Sequence, residues 1–197
     1  MRPLVFVWPY ALIFWVTYAW AFAPEGAMVA RSSRAAAENH SKDSGSLRLI
    51  VVGMWIGLLL SFPIAFVTAL RFPLAANLAA FCIGTGLLIA GSLLRRHCWR
   101  ILGEYFTGDV RARADQPVID RGAYRWVRHP SYTGGILMFG GIGIALANWA
   151  SLAILTLVSV AVYSYRIAVE ERALIQTIGE PYATYMRTRK RFVPFII

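Results

Sequence analysis

Long uncharged stretches alternate along this chain with short segments in which the basic residues collect. Leu4–Ala23, Leu49–Leu70 and Leu74–Leu94 contain no Asp, Glu, Lys or Arg. At 1.5 Å per helical residue, each can cross a hydrocarbon core about 30 Å thick. A fourth uncharged stretch, Pro130–Tyr165, is too long for one ordinary span, and Asn148-Trp149 near its middle reads as a tight turn between two helices. The pattern predicts an all-α integral membrane protein with about five transmembrane helices, the last two a helical hairpin at about 130–165. Two regions follow. Residues 1–95 would hold three N-terminal transmembrane helices, with a cytoplasmic loop or short amphipathic helix at 24–48. Residues 96–197 would hold the hairpin and a cytoplasmic C-terminal helix. Met1–Ala23 reads as a retained first helix, because a signal peptide has a more basic start and an apolar run of only about 7–15 residues.

The positions of the basic residues set the orientation. Eighteen of the twenty Lys and Arg fall in 24–48, in 95–131 and from Arg166 onward, leaving only Arg2 and Arg71 on the other side. The positive-inside rule makes that richer face cytoplasmic, with the N-terminus outside and the C-terminus inside. Composition agrees: hydrophobic residues are 58% and charged residues 15%, against about 25% charged in soluble domains. The net charge of +10 is thereby a topology signal, and no nucleic-acid partner is expected. The basic tail Arg187–Arg191 suits anionic lipid headgroups or simple retention inside. His40, His97 and His129 show no ligand spacing to one another or to Cys82 and Cys98, so neither a metal site nor a disulfide is expected. The three N-terminal runs hold no ionisable residue, which argues against a channel or pump.

Polar and aromatic residues gather in 100–132 and 163–194, which places any site at the inner face. In the first segment, Asp120–Gly122 reads as a turn. Pro130 drives His129 out of the helical region and suits the first position of a helix. Arg128, His129 and Tyr132 would ring the free N–H groups of that helix start, and Gly134 and Gly135 would allow close approach. An anion site and an ordinary helix start with aromatic anchoring fit this pattern equally. In the second segment, Arg166 and Glu170 share one helix face. They read either as a weak surface ion pair or as a clamp for a carboxylate beside a seat for a cation. Gly179 ends that helix and Pro181 begins another.

The run Gly122-Ala-Tyr124-Arg-x-x-Arg128-His129-Pro130-x-Tyr132-x-Gly134, with Arg166-x-x-x-Glu170-Glu171-x-x-Leu174-x-x-x-x-Gly179-x-x-Tyr182-x-x-Tyr185, resembles the isoprenylcysteine carboxyl methyltransferase family, which has phospholipid methyltransferase relatives. The resemblance covers about residues 95–197. It implies a membrane methyltransferase that uses S-adenosylmethionine and covers it with the C-terminal segment. Carried over by position, it implies cofactor contacts at Gln116, Pro117, Val118, Ile119, Tyr124, His129, Pro130, Ser131, Tyr132 and Glu170, with Asp109 as a further polar contact. Gln116-Pro117 departs from the family's usual residues there, which points to backbone contacts. Arg166 would face the acceptor, and Arg166, Glu170 and Glu171 would carry the catalysis. The implied acceptor is lipophilic, a prenylcysteine-like carboxylate. A phospholipid amine, with Glu171 or His129 taking its proton, is the alternative. A sterol-type reductase using a nicotinamide nucleotide shares the His-Pro and Tyr pattern in much longer chains.

Overall fold

The structure, a computed structural model, describes residues 2–38, 45–106 and 116–192. Among the described residues six α-helices carry the fold: α1 Tyr10–Glu38, α2 Ser46–Ile64, α3 Asn77–Leu102, α4 Pro130–Ala145, α5 Trp149–Ile178 and α6 Glu180–Thr188. Short 3-10 turns lie between several of them. No strand occurs among the described residues, where Arg71–Asn148 and Val127–Lys190 make isolated β-bridges. The protein is an all-α integral membrane protein.

The helices outrun the uncharged stretches. α1 passes Pro24 and continues to Glu38, so residues 24–38 continue the first helix, where a loop or short amphipathic helix at 24–48 was expected. The Ala-rich sequence there favours helix whatever its charge. α3 continues beyond Leu94 to Leu102, and α5 beyond Tyr165 to Ile178. Absence of charge marks what lipid tolerates, whereas helix ends are set by caps and glycines.

Among the described residues four helical stretches are long and apolar enough to cross a membrane: Tyr10–Ala30, Ser46–Ile64, Leu74–Leu102 and Trp149–Ile178. The remaining helix of the expected five, α4, has 16 residues, or about 24 Å of rise. It is also the innermost. Gly134, Gly135, Met138, Phe139, Gly141, Ile142 and Gly143 of α4 are all buried, because it is packed between α3 and α5 while α5 also packs on α2.

Glycines facing each other seven residues apart bring α3 and α4 together. Gly84 meets Gly141, and Gly91 meets Gly134. Small residues that let backbones approach are the usual adhesive between helices in lipid, where apolar burial between helices gains little. A methyl group at Gly84 would lie 2.8 Å from Ala145 Cα and closer still to backbone atoms of Gly141 and Ala145. Gly84→Ala is therefore expected to destabilise the protein by about 1–3 kcal/mol. The check is thermal unfolding in detergent, with Gly86→Ala as a neutral control because its added methyl meets nothing within 4 Å.

The α4–α5 turn follows the expectation. Asn148 is fully buried, and its Oδ1 accepts from Ala150 N at 3.0 Å and Ser151 N at 3.1 Å. This is an N-cap that satisfies two otherwise orphaned donors of α5. Its Nδ2 donates to Ile64 O and Val67 O, which ties the hairpin to the end of α2. At this same end Phe6 and Trp15 pack on Phe62, and Phe6 also on Phe66. The opposite end gathers the last turns of α1, α3 and α5 and the first turns of α2 and α4, and the candidate site lies there.

Candidate active site

The two sequence motifs meet at that end. Gly122 adopts φ +59°, and a Cβ there would collide with Ile101, so the turn requires glycine twice over. Arg128 N donates to Lys190 O at 2.8 Å and His129 N to Arg191 O at 3.1 Å, which lays the chain after α6 alongside residues 127–129. His129 has φ −126° and ψ 56° and α4 begins at Pro130, as the proline demands. Tyr132 stands in the first turn of α4.

Tyr132 links the motifs. Its hydroxyl donates to Glu170 Oε2 at 2.8 Å and accepts from Arg166 Nε at 3.3 Å. Arg166 Nη1 also donates to Ser46 Oγ, which brings in the first residue of α2. The ring of Tyr132 lies 5.0 Å from that of Tyr163. Arg166 is only 3% exposed. That burial excludes the surface ion pair and favours the clamp, since a buried guanidinium needs partners that an exposed one does not.

A cleft opens around this network. Gln116, Pro117, Val118, Ile119, Tyr124, His129, Ser131, Tyr132, Arg166 and Glu170 all line it. Ten of the expected site residues are therefore brought together. Pro130 does not line the cleft; it is fully buried and acts by starting α4. Glu171 does not line it either. It lies about 100° further round α5 than Glu170, against His129 Nε2 at 3.2 Å and Arg128 Nη2 at 3.3 Å. Asp109 and His40 lie outside the described residues.

Sequence reasoning missed several lining residues. Glu25, Met28 and Val29 of α1 and Arg95 of α3 all face the cleft. Glu25 and Arg95 form a bidentate pair, Arg95 Nη2 donating to Glu25 Oε2 at 2.6 Å and Nε to Oε1. Arg95 Nη1 donates to Ser131 O at 2.9 Å. The uncharged runs end one or two residues short of both partners. Glu25 is the only acid in the first 37 residues, and that isolation was the available signal.

α6 forms another wall. Tyr182 and Tyr185, three apart and on one face, are its buried residues and line the cleft. Burial pushes both hydroxyls above the ordinary tyrosine range, with the Glu170 carboxylate adding to the shift of Tyr182 and Asp120 to that of Tyr185. Both remain protonated donors, and Tyr185 Oη donates to Tyr124 O at 2.6 Å. Two buried polar atoms beside the cleft, Arg128 Nε and Ser131 Oγ, have no hydrogen-bond partner among the described residues. The cleft thus offers two carboxylates, three guanidinium groups, a histidine and an aromatic wall. That set can hold a ligand bearing both charges and a flat ring.

Residues 83–176 match the model of the isoprenylcysteine carboxyl methyltransferase (ICMT) family. The chain is 32% identical over 116 residues to the protein-S-isoprenylcysteine O-methyltransferase of Tribolium castaneum, covering 58% of this chain and 41% of that protein. It is 29% identical over 136 residues to that of Schizosaccharomyces pombe, covering 66% and 58%. Among solved structures it is similar to the eukaryotic intramembrane Ras methyltransferase ICMT, with a TM-score of 0.58 and 28% identity over 80% of this chain and 54% of that one. Family model, partial sequence alignments and fold agree on the resemblance that the two motifs carry. The chain spans about half the length of the relatives it matches.

Proposed function

We propose that the chain is a membrane methyltransferase that uses S-adenosylmethionine to methylate a lipophilic acceptor, a prenylcysteine-like carboxylate, at the cytoplasmic face. The observation that carries this reading is the Tyr132 hydroxyl, which joins Arg166 to Glu170 inside the cleft. The relatives named above support the reaction class, and the basic residues at this end of the bundle support the sidedness.

The residues suit the donor. Glu170 offers a carboxylate to its ammonium group. The start of α4, with Arg128, His129 and the unpartnered Ser131 Oγ, offers donors to its carboxylate. Tyr182 and Tyr185 offer an aromatic wall to its purine. When bound, S-adenosylmethionine supplies a methyl group made electrophilic by the sulfonium. The protein's own part is to align and dry the two reactants. Arg166 orients the acceptor carboxylate, which is already ionised and needs no general base. Met28, Val29, Leu47 and Ile50 give the cleft an apolar side for the lipid chain.

The test is transfer of a labelled methyl group by the purified protein in nanodiscs. A farnesylated cysteine derivative with a free carboxylate is expected to take up the label as a base-labile ester, and its carboxamide is expected to take up none. Label in phosphatidylethanolamine instead would overturn the acceptor. Failure to bind the donor in calorimetry would overturn the function.

A further inference from the structure

Glu171 follows Glu170 in the chain but faces the other way, and its side chain is 4% exposed. Its two carboxylate oxygens divide their work. Oε1 accepts from His129 Nε2 at 3.2 Å and lies 3.3 Å from Arg128 Nη2. Oε2 accepts from Arg191 Nη2 at 2.9 Å. His129 and Arg128 line the cleft and Glu171 does not, so Glu171 holds two wall residues from behind.

The second oxygen holds the cover. α6 brings Tyr182 and Tyr185 to the cleft, and the chain that leaves it is fastened along the start of α4. Arg128 Nη1 donates to Met186 O at 3.1 Å and Thr133 Oγ1 to Phe192 O at 2.8 Å, in addition to the two backbone bonds at Lys190 and Arg191. α6 is therefore attached to α5 at two places: through Gly179 before it and through the Glu171–Arg191 pair after it.

We infer that Glu171 is a positioning residue: it sets His129, Arg128 and the segment 189–192 against the donor half of the cleft, and takes no part in proton transfer. This rests on the proposed methyl transfer. The acceptor half is built by Arg166, Ser46 and the apolar residues of α1 and α2, whereas the partners of Glu171 are His129, Arg128 and Arg191. Loss of the carboxylate should loosen donor binding and leave acceptor binding alone. A general base would behave differently, lowering kcat with donor affinity intact.

The experiment compares wild type, Glu171→Gln and Arg191→Gln in detergent. Arg191 is half-exposed, so its replacement carries little risk to folding. Both variants are expected to bind S-adenosylmethionine about tenfold or more weakly in calorimetry, the worth of one charge-assisted hydrogen bond. Both should raise the KM for donor and leave the KM for the farnesylated acceptor unchanged. Trypsin should cut faster at Arg187–Arg191, and donor should protect less. Donor affinity equal to wild type in both variants overturns the role. A fall in kcat with unchanged donor affinity overturns it in favour of a base. An equal loss for donor and acceptor with a lower melting temperature reduces Glu171 to a structural residue and overturns it too. Absence of donor binding in the wild type overturns the functional reading itself.

Discussion

Glu170→Gln is expected to lower kcat/KM by about a hundredfold or more while the protein still inserts and folds. The substitution keeps the shape and removes the charge. Glu170 accepts from the Tyr132 hydroxyl at 2.8 Å, and an amide oxygen can still accept there, so the network survives. The charge offered to the donor's ammonium does not. A hydrogen bond to a charged group contributes about 1.5–3 kcal/mol, and each 1.4 kcal/mol is about a factor of ten in rate or affinity. Arg166→Lys separates the two halves of the cleft. Lysine keeps the charge but cannot present the two-pronged face that grips a carboxylate. It is expected to spare donor binding and raise the acceptor KM by about tenfold or more. Steady-state kinetics in each substrate, with calorimetry of the donor, reads both effects. Wild-type kinetics in Glu170→Gln would remove the cleft from the chemistry.

The largest effect on stability is expected at the other ion pair. Glu25 and Arg95 are 17% and 6% exposed and belong to helices whose contact is otherwise thin at this end. Nearby, Ser92 Oγ donates to Ala21 O at 3.3 Å and Arg96 Nη2 to Trp20 O at 2.6 Å. Glu25→Ala leaves the Arg95 guanidinium buried without its carboxylate. Breaking one side of a buried pair costs about 3–5 kcal/mol, mostly for the charge left behind. A steep drop in the thermal midpoint is expected. The double variant Glu25→Leu with Arg95→Met should recover most of it, because an apolar pair of similar volume removes both desolvation costs. A single variant as stable as wild type would show that α1 is held without this pair.

Local chemistry made much of this protein legible before its structure. Charge-free runs announced lipid-crossing helices, Asn148-Trp149 announced the turn between α4 and α5, and the His129-Pro130 step announced the start of α4. Gly179-Glu-Pro181 marked the break between α5 and α6. Each signal acts within a turn or so of itself, so it can be read from neighbours in the chain. The i, i+4 spacing likewise put Arg166 and Glu170 on one face. What periodicity could not give was the partner of that face, or the partner of its neighbour Glu171. The tertiary structure separated the two acids by turning Glu170 toward Tyr132, 38 residues away, and Glu171 toward His129, 42 residues away. It alone joined Glu25 to Arg95 across 70 residues and recruited α1 and α2 to a cleft whose motifs lie entirely in the other half of the chain. A charge at a helix end is tolerated wherever a partner can reach it, and the distant chain that supplies the partner leaves no local pattern to read.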